Sequence, residues 1–186
     1  MILPIKVGIL TASDRCAAGK RIDESGNILK ALAEQLPAEV VAHRIVSDDK
    51  ERIKSALLQM VDLLQCHLVL TTGGTGLGPR DNTPEATREV IEKEIPGISE
   101  AIREGGKKKT RFSVLSRGIA GVRNKTLIIN FPGSPDAVRD ALEILKPVLS
   151  HALELVDGDV SDCQDIREEE SKVHSHATHH SRPLHS

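Results

Sequence analysis

Short runs of apolar residues alternate along the chain with longer segments whose apolar residues recur at helical spacing. Runs typical of buried strands occupy residues 5–10, 40–46, 67–72 and 127–131. Helical spacing predicts helices over residues 27–36, 49–64, 84–94, 96–106 and 134–156, the last interrupted near Pro147. Strands that alternate with helices of ten or more residues are typical of parallel crossovers, so the pattern predicts a layered α/β fold.

The alternating pattern stops near the C-terminus. Residues 157–186 hold seven acidic residues, three basic residues and five of the eight histidines. Segments of this composition bury too little apolar surface to fold alone. We therefore expect one domain over residues 1–156, followed by an acidic, His-containing, disordered tail over residues 157–186.

Composition and charge exclude several classes of protein. The chain has two Phe, no Tyr and no Trp, and its formal net charge is −2, which argues against modules that bind nucleic acid. No apolar run reaches the roughly 20 residues that a membrane span needs. Three cysteines without paired spacing are typical of reduced thiols. We expect a soluble, cytoplasmic protein without a nucleic-acid or membrane partner.

A glycine-rich loop follows the third strand run and carries the strongest local signal. It contains four glycines and leads to a helix predicted to have Thr83 as its N-cap. The loop lacks the Gly-Lys-Ser/Thr of a Walker A loop, and Gly74, Gly76 and Gly78 do not have the dinucleotide-fold spacing. Glycines let backbone amides approach an anionic ligand closely. The alternative is a tight connection that only requires positive φ angles.

A second glycine turn follows the last strand run. Gly133 is followed by Ser134, Pro135 and Asp136, a sequence that caps and starts a helix. Two helix N-termini at neighbouring strand ends would present two groups of free amides to an anion. Capping alone is the alternative interpretation.

Asp48 follows the second strand run and has two interpretations. With Glu51 three residues later, it matches a capping box. Alternatively, it faces Asp81 across the strand ends, where two carboxylates would hold a Mg²⁺ that binds nucleotide phosphates.

Three further residues carry weaker signals. Arg117 and Arg123 are either phosphate partners or solvated side chains. Cys66 lies just before a predicted strand, and the sequence gives no histidine that would activate its thiol as a nucleophile. We therefore expect Cys66 to belong to the core.

Four motifs, in this order, resemble the Mog-type molybdopterin adenylyltransferases, a family that includes the plant molybdenum-cofactor G domain and the gephyrin G domain. They are Thr-Thr-Gly-Gly-Thr-Gly at 71–76, Pro-Arg-Asp-Asn-Thr-Pro-Glu-Ala-Thr at 79–87, Leu-Ser-Arg at 115–117 and Asn-Phe-Pro-Gly-Ser-Pro at 130–135. The resemblance extends over residues 6–156, nearly all of the predicted domain.

The resemblance implies a fold and a reaction. The fold is a three-layer α/β/α molybdopterin-binding domain with a mostly parallel sheet, assembled as a homotrimer. The reaction transfers AMP from Mg-ATP to the phosphate of molybdopterin and releases pyrophosphate. ATP and molybdopterin are thus the expected substrates, Mg²⁺ the cofactor, and a molybdate-inserting enzyme the partner that receives the product.

The resemblance also implies functional residues. Asp48 and Asp81 correspond to the family's two functional, metal-binding aspartates, with Asp49 as the alternative counterpart of Asp48. The residues implied for nucleotide and pterin binding are Ser13, Asp14, Gly73, Gly74, Thr75, Gly76, Ser116, Asn130, Pro132, Gly133 and Ser134. Two positions depart from the family pattern: Ser47 replaces a common Pro and Asn82 replaces a usual Val.

Three other functions remain open on the sequence. A relative could bind the pterin without transferring AMP, or serve as a scaffold that docks through its acidic tail. A generic nucleotide-binding domain would bind ATP without any dependence on the pterin.

Overall fold

A computed structural model describes residues 4–35 and 37–158, so the predicted tail from residue 159 onward lies outside the described residues. The described strands are β1 (Ile5–Ala12), β2 (Ala38–Val46), β3 (Leu68–Thr72), β4 (Lys93–Glu94), β5 (Ala120–Arg123) and β6 (Thr126–Phe131). The described helices are α1 (Asp14–Ala17), α2 (Glu24–Ala33), α3 (Lys50–Leu58), α4 (Thr83–Arg88), α5 (Pro96–Lys107) and α6 (Pro135–Asp157). A π-helical turn, Gln59–Leu63, extends α3, and a 3₁₀ helix, Arg111–Leu115, follows α5.

The strands form one sheet in the order β2-β1-β3-β6-β5-β4. The first four strands in that order are parallel, whereas β5 runs antiparallel to both β6 and β4. The carboxyl ends of β1, β2, β3 and β6 therefore meet at one edge of the sheet. The strand order reverses beside β1 and β3, which is the position where open α/β sheets bind ligands.

Helices cover both faces of the sheet. Leu68 and Leu70 of β3 belong to the core packed by α2, α5 and α6, whereas Val69 between them belongs to the core packed by α3 and α4. This alternation is the two-residue period of a strand buried on both faces. The predicted three-layer α/β/α fold with a mostly parallel sheet is confirmed.

The helix predicted over residues 84–94 was wrong in its second half. α4 ends at Arg88, and the chain then turns to form β4 against β5. Val90 is buried in the core, and the Glu92 N–H donates to the carbonyl of Val122, so the segment is drawn onto the sheet edge. The antiparallel strands β4 and β5 were not predicted, because two and four residues are too few for a periodic signal.

The break predicted near Pro147 was also wrong, because α6 continues through this residue. Pro147 is exposed, and so is Glu143, the residue four positions earlier whose carbonyl loses its donor. α6 is the longest described helix at 23 residues. None of the helices in the described ranges has the length and apolar character needed to cross a membrane.

The thiol of Cys66 should be inert in the folded protein. Its side chain is buried beside Met60 and the β1 backbone, and burial raises the pKa of the thiol to about 11. At pH 8 only about one thiol in a thousand would then be ionised, and the thiolate is the reactive form. We expect a variant carrying C16S and C163S to react negligibly with Ellman's reagent until denaturant is added. Rapid labelling of the native variant at pH 8 would contradict the buried placement.

Candidate active site

One cavity of about 200 Å³ lies at the carboxyl edge of the sheet, between the ends of β1, β2, β3 and β6. Predicted site residues on its walls are Ser13, Asp48, Gly73, Gly74, Asp81 and Gly133. These six residues come from five separate stretches of sequence, and the parallel strand ends bring them together. We call this space the first cavity.

The glycine loop passes close to the end of β1, and this requires glycine. Gly73 has φ +86° and Gly74 has φ +62°, in the left-handed region that side chains disfavour. A Cβ atom at Gly73 would collide with the carbonyl oxygen of Ala12, and one at Gly74 with the hydroxyl of Thr83. The hydroxyl of Thr83 donates to the carbonyl of Gly73 at 2.8 Å and ties the loop to α4.

Thr83 is therefore not the N-cap that the sequence indicated. It is the first residue of α4, and Asn82 precedes the helix. The side-chain amide of Asn82 donates to the carbonyl of Asp48 at 3.0 Å, which fixes the end of the loop after β3 to the end of β2.

Of the two interpretations of Asp48, the capping box with Glu51 is wrong. Asp49 is the N-cap of α3, and its Oδ1 accepts the Arg52 N–H at 3.0 Å. The Asp48 carboxylate instead accepts the Asp14 N–H at 2.7 Å, and the Asp48 N–H donates to Asp14 Oδ1 at 3.0 Å. Asp48 is thus available to the first cavity because its neighbour performs the capping.

The electrostatic surroundings of Asp48 favour a cation. Burial raises the pKa of Asp48 above its usual range, and the negative charges of Asp14 and Asp81 add to this effect. The Asp81 carboxylate accepts the Gly78 N–H at 2.7 Å. Two carboxylates on one cavity wall destabilise each other's charge, and a bound cation relieves that repulsion.

The donor set at the first cavity fits Mg²⁺. This ion is usually held by one or two carboxylates, with water and substrate phosphates as its other ligands. Asp48 and Asp81 supply the two carboxylates. In residues 4–35 and 37–158 there is no group of three or more His, Cys, Asp or Glu side chains arranged to hold a metal ion.

Asp14 is held by an arginine rather than directed into the first cavity. Arg80 donates to both carboxylate oxygens of Asp14, from Nε at 3.0 Å and from Nη2 at 2.8 Å. The hydrogen bond from Arg80 is the main cause that lowers the pKa of Asp14. Asp14 therefore stays charged and supports the backbone of Asp48.

A second cavity of about 290 Å³ adjoins the first. Predicted residues Ser116, Pro132 and Ser134 line it, together with apolar side chains such as Ile102, Phe112 and Ile144. Gly133 lies on the wall of the first cavity, between Pro132 and Ser134 on the wall of the second. The glycine turn after β6 thus separates a polar cavity from a mostly apolar one.

Four of the predicted site residues line neither cavity: Asp14, described above, and Asn130, Thr75 and Gly76. Asn130 is buried and fully engaged: its Nδ2 donates to the hydroxyls of Thr71 and Thr87, both at 3.0 Å, and its Oδ1 accepts the Ile119 N–H. Thr75 and Gly76 belong to the glycine loop beyond the cavity wall. A Cβ atom at Gly76 would lie 2.9 Å from Asp81 Oδ2, so Gly76 makes room for that carboxylate.

The phosphate role considered for the two arginines is not supported by their positions. Arg123 pairs with Asp62, at 3.1 Å, beside the turn that joins β5 to β6. Arg117 contacts the outer side of the glycine loop. Neither side chain lines the first cavity.

Sequence reasoning missed Asp23, a buried carboxylate on the wall of the first cavity. Its Oδ1 accepts the Gly26 N–H at 2.9 Å, and its Oδ2 accepts the Thr11 hydroxyl at 2.7 Å and contacts His43 Nε2 at 3.0 Å. Burial alone would raise the pKa of Asp23, but the hydrogen bonds from these partners outweigh it and lower the pKa. In the sequence, Asp23 resembles an ordinary helix N-cap, and in the structure it does cap α2.

Comparison with known proteins identifies a family. A family profile described as "Probable molybdopterin binding domain" matches residues 8–151. A curated relative, the molybdopterin adenylyltransferase of Helicobacter pylori strain J99, is 44% identical over 156 residues, which cover 83% of this chain and 89% of the relative.

Two further proteins show the same relationship. The molybdenum cofactor synthesis protein cinnamon of Drosophila melanogaster is 42% identical over 158 residues, 84% of this chain and 26% of that longer protein. The crystal structure of the molybdopterin biosynthesis enzyme MoaB from Thermus thermophilus matches with a TM-score of 0.79 and 48% identity, covering 83% of this chain and 97% of that one. The resemblance inferred from the four motifs is confirmed.

Proposed function

Because this chain belongs to the molybdopterin-binding domain family, we propose that it is an enzyme that transfers AMP from ATP to the phosphate of molybdopterin and releases pyrophosphate. The observation that carries the proposal is the pair of adjoining cavities. One is polar and bears the carboxylates of Asp48 and Asp81 beside a glycine loop, and the other is mostly apolar. A nucleotide triphosphate suits the first, and a pterin suits the second.

The boundary between the cavities is where the two substrates meet. Gly133 separates them, and a Cβ atom there would lie 3.4 Å from the Cα of Gly73. The two glycine turns therefore approach each other closely. A phosphate that enters from the second cavity would reach the α-phosphate of ATP beside both turns, with the reacting groups already oriented.

Asp48 and Asp81 would hold Mg²⁺ at the first cavity. When bound, this ion neutralises phosphate charge during the transfer. The amides of the glycine loop orient the phosphates, and Asp14 holds the backbone that carries Asp48. The attacking phosphate of the pterin is already ionised at neutral pH, so the carboxylates do not need to remove a proton.

Ser116 and Ser134 would bind the pterin side. Their side chains flank the second cavity, whose apolar walls include Ile102 and Phe112. Hydroxyl groups at the rim of an apolar pocket orient a planar heterocycle while the walls bury its faces. Asn130 acts on this side indirectly, since its bonds to Thr71 and Thr87 fix β6 against β3 and α4.

The proposed assembly is a cytoplasmic homotrimer that hands its product to a molybdate-inserting enzyme. The family resemblance supports the trimer, and the exposed apolar side chains of Phe112, Val114 and Leu115 offer surface that association would bury. Light scattering of the full chain should give three times its mass of 20.2 kDa. A monomeric mass at micromolar concentration would contradict the trimer and leave the reaction untouched.

The reaction is tested by incubating the full chain with molybdopterin, Mg²⁺ and ATP labelled in the α-phosphate. We expect the label in adenylyl-molybdopterin, together with an equal amount of unlabelled pyrophosphate. Neither product should form when EDTA is present or the pterin is omitted. Pterin binding without product would indicate the non-catalytic binder or scaffold. ATP binding or turnover that ignores the pterin would indicate a generic nucleotide-binding domain.

A further inference from the structure

Arg117 holds the outer side of the glycine loop at two carbonyl groups. Its Nε donates to the Gly76 carbonyl and its Nη2 donates to the Asp81 carbonyl, both at 2.6 Å. Its own N–H donates to the Thr75 carbonyl at 2.9 Å. One residue therefore bonds to three points of a loop that lies far earlier in the sequence.

A carboxylate orients the guanidinium that makes these bonds. Glu85 of α4 forms an ion pair with Arg117 through Nη1. Burial alone would raise the pKa of Glu85, but the hydrogen bond from Arg117 outweighs it and lowers the pKa. Arginine donates to this carboxylate and to the two carbonyls from three nitrogens held in one rigid plane, whereas lysine would have to reach all three acceptors from a single nitrogen.

A second arginine fixes the backbone that carries Arg117. Arg103 of α5 donates to the carbonyls of Ser116 and Gly118, at 3.4 Å and 3.0 Å. A Cβ atom at Gly118 would lie 3.0 Å from the carbonyl oxygen of Asn130, so this segment is also pressed against β6. The backbone of Arg117 is thus held by α5 and β6, while its side chain binds the glycine loop.

The held loop is the part of the site that most needs external support. Gly73, Gly74, Gly76 and Gly78 leave it with few side-chain contacts of its own, and its conformational entropy is correspondingly high. The Asp81 carboxylate depends on the loop for its position, because its hydrogen bond comes from the Gly78 N–H.

We propose that Arg117 is a positioning residue that sets the glycine loop and the Asp81 carboxylate in the geometry required for adenylyl transfer. The role in transfer rests on the proposed function, whereas the control of loop geometry does not. Arg117 touches neither cavity, so it acts through the loop rather than on a substrate. Its neighbour Ser116 lines the second cavity. Residues 116 and 117 therefore contact the second cavity and the glycine loop, respectively.

The first test is amide hydrogen–deuterium exchange of the full chain without substrates. Arg117→Lys keeps the charge but replaces the rigid guanidinium with a single nitrogen on a flexible chain, so amides in residues 73–82 should exchange at least about tenfold faster than in the wild type. Arg117→Ala should give the same result if it folds. Arg123→Lys is the matched control, because Arg123 is also ion-paired but lies away from the loop, and it should leave these amides unchanged.

The second test separates this inference from the proposed function. Arg117→Lys should lower kcat by about 10- to 100-fold, while KM for ATP changes by less than about threefold. The affinity for Mn²⁺, measured by electron paramagnetic resonance with a non-hydrolysable ATP analogue, should fall as well. Arg123→Lys should resemble the wild type in both measurements.

Unchanged exchange over residues 73–82 in Arg117→Lys would overturn the inference, whatever the wild type catalyses. Equal kcat for Arg117→Lys and Arg123→Lys would also overturn it. An inactive wild type with a loop loosened by Arg117→Lys would refute the proposed function alone.

Discussion

Asp81→Asn should reduce adenylyl transfer by about 100- to 1,000-fold and leave binding of molybdopterin nearly unchanged. Asparagine still accepts the Gly78 N–H, so the loop keeps its shape. It removes one of the two negative charges that would hold the metal ion, and electrostatic groups of this kind are worth about two to three orders of magnitude in rate. Initial rates of labelled product, with pterin binding measured by equilibrium dialysis, test this prediction.

The neighbouring aspartates supply the controls. Asp48→Asn should be nearly as inactive as Asp81→Asn. Asp49→Asn should retain close to full activity, because asparagine also caps helices well and Asp49 caps α3. A fully active Asp48→Asn together with an inactive Asp49→Asn would show that Asp49 is the functional counterpart, and a fully active Asp81→Asn would refute the two-carboxylate site.

Gly73→Ala should cost about 3 kcal/mol of folding stability and at least about a hundredfold in activity. The left-handed backbone penalises any side chain by roughly 1–2 kcal/mol, and the collision with the Ala12 carbonyl adds a packing cost of similar size. Relief of that collision moves the loop away from β1, and a displacement of about 1 Å can cost two orders of magnitude in rate.

Gly19 provides a control that also has a positive φ. Its φ is +67°, but nothing lies within 4 Å of an added Cβ atom. Gly19→Ala should therefore cost only about 1 kcal/mol and leave activity intact. Urea denaturation followed by circular dichroism measures the stability of each variant. Equal stability losses in the two variants would show that the close approach of Gly73 to β1 is not what makes glycine necessary.

The sequence predicted the central part of the fold because local signals there agree with tertiary structure. The apolar runs that became β1 and β3 are buried on both faces, and continuous apolar runs are typical of such strands. β4 and β5 escaped prediction because their conformation is imposed by pairing, of β5 with β6 and of β4 with β5, rather than by their own residues. The helix predicted beyond Arg88 failed for the same reason.

The sequence predicted which residues belong to the site better than it predicted what those residues contact. Asp48 and Asp49 are adjacent and chemically identical, so the sequence alone could not tell which one caps α3. The structure distinguishes them through Arg52, whose N–H bonds to Asp49. The contacts of Arg117 could not be predicted, because its partners include backbone carbonyls of a distant loop. Every residue has a carbonyl, so the sequence does not show which ones a side chain binds. Asp23 was overlooked because a buried carboxylate and an exposed cap share the same sequence signature.

A crystal structure of the full chain with Mg²⁺ and a non-hydrolysable ATP analogue would test the central claim most directly. It should show the α-phosphate against the backbone of residues 73–76, with a metal ion bound by the carboxylates of Asp48 and Asp81. A nucleotide seated instead in the apolar cavity beside Phe112, or a metal ion bound away from both aspartates, would contradict this account.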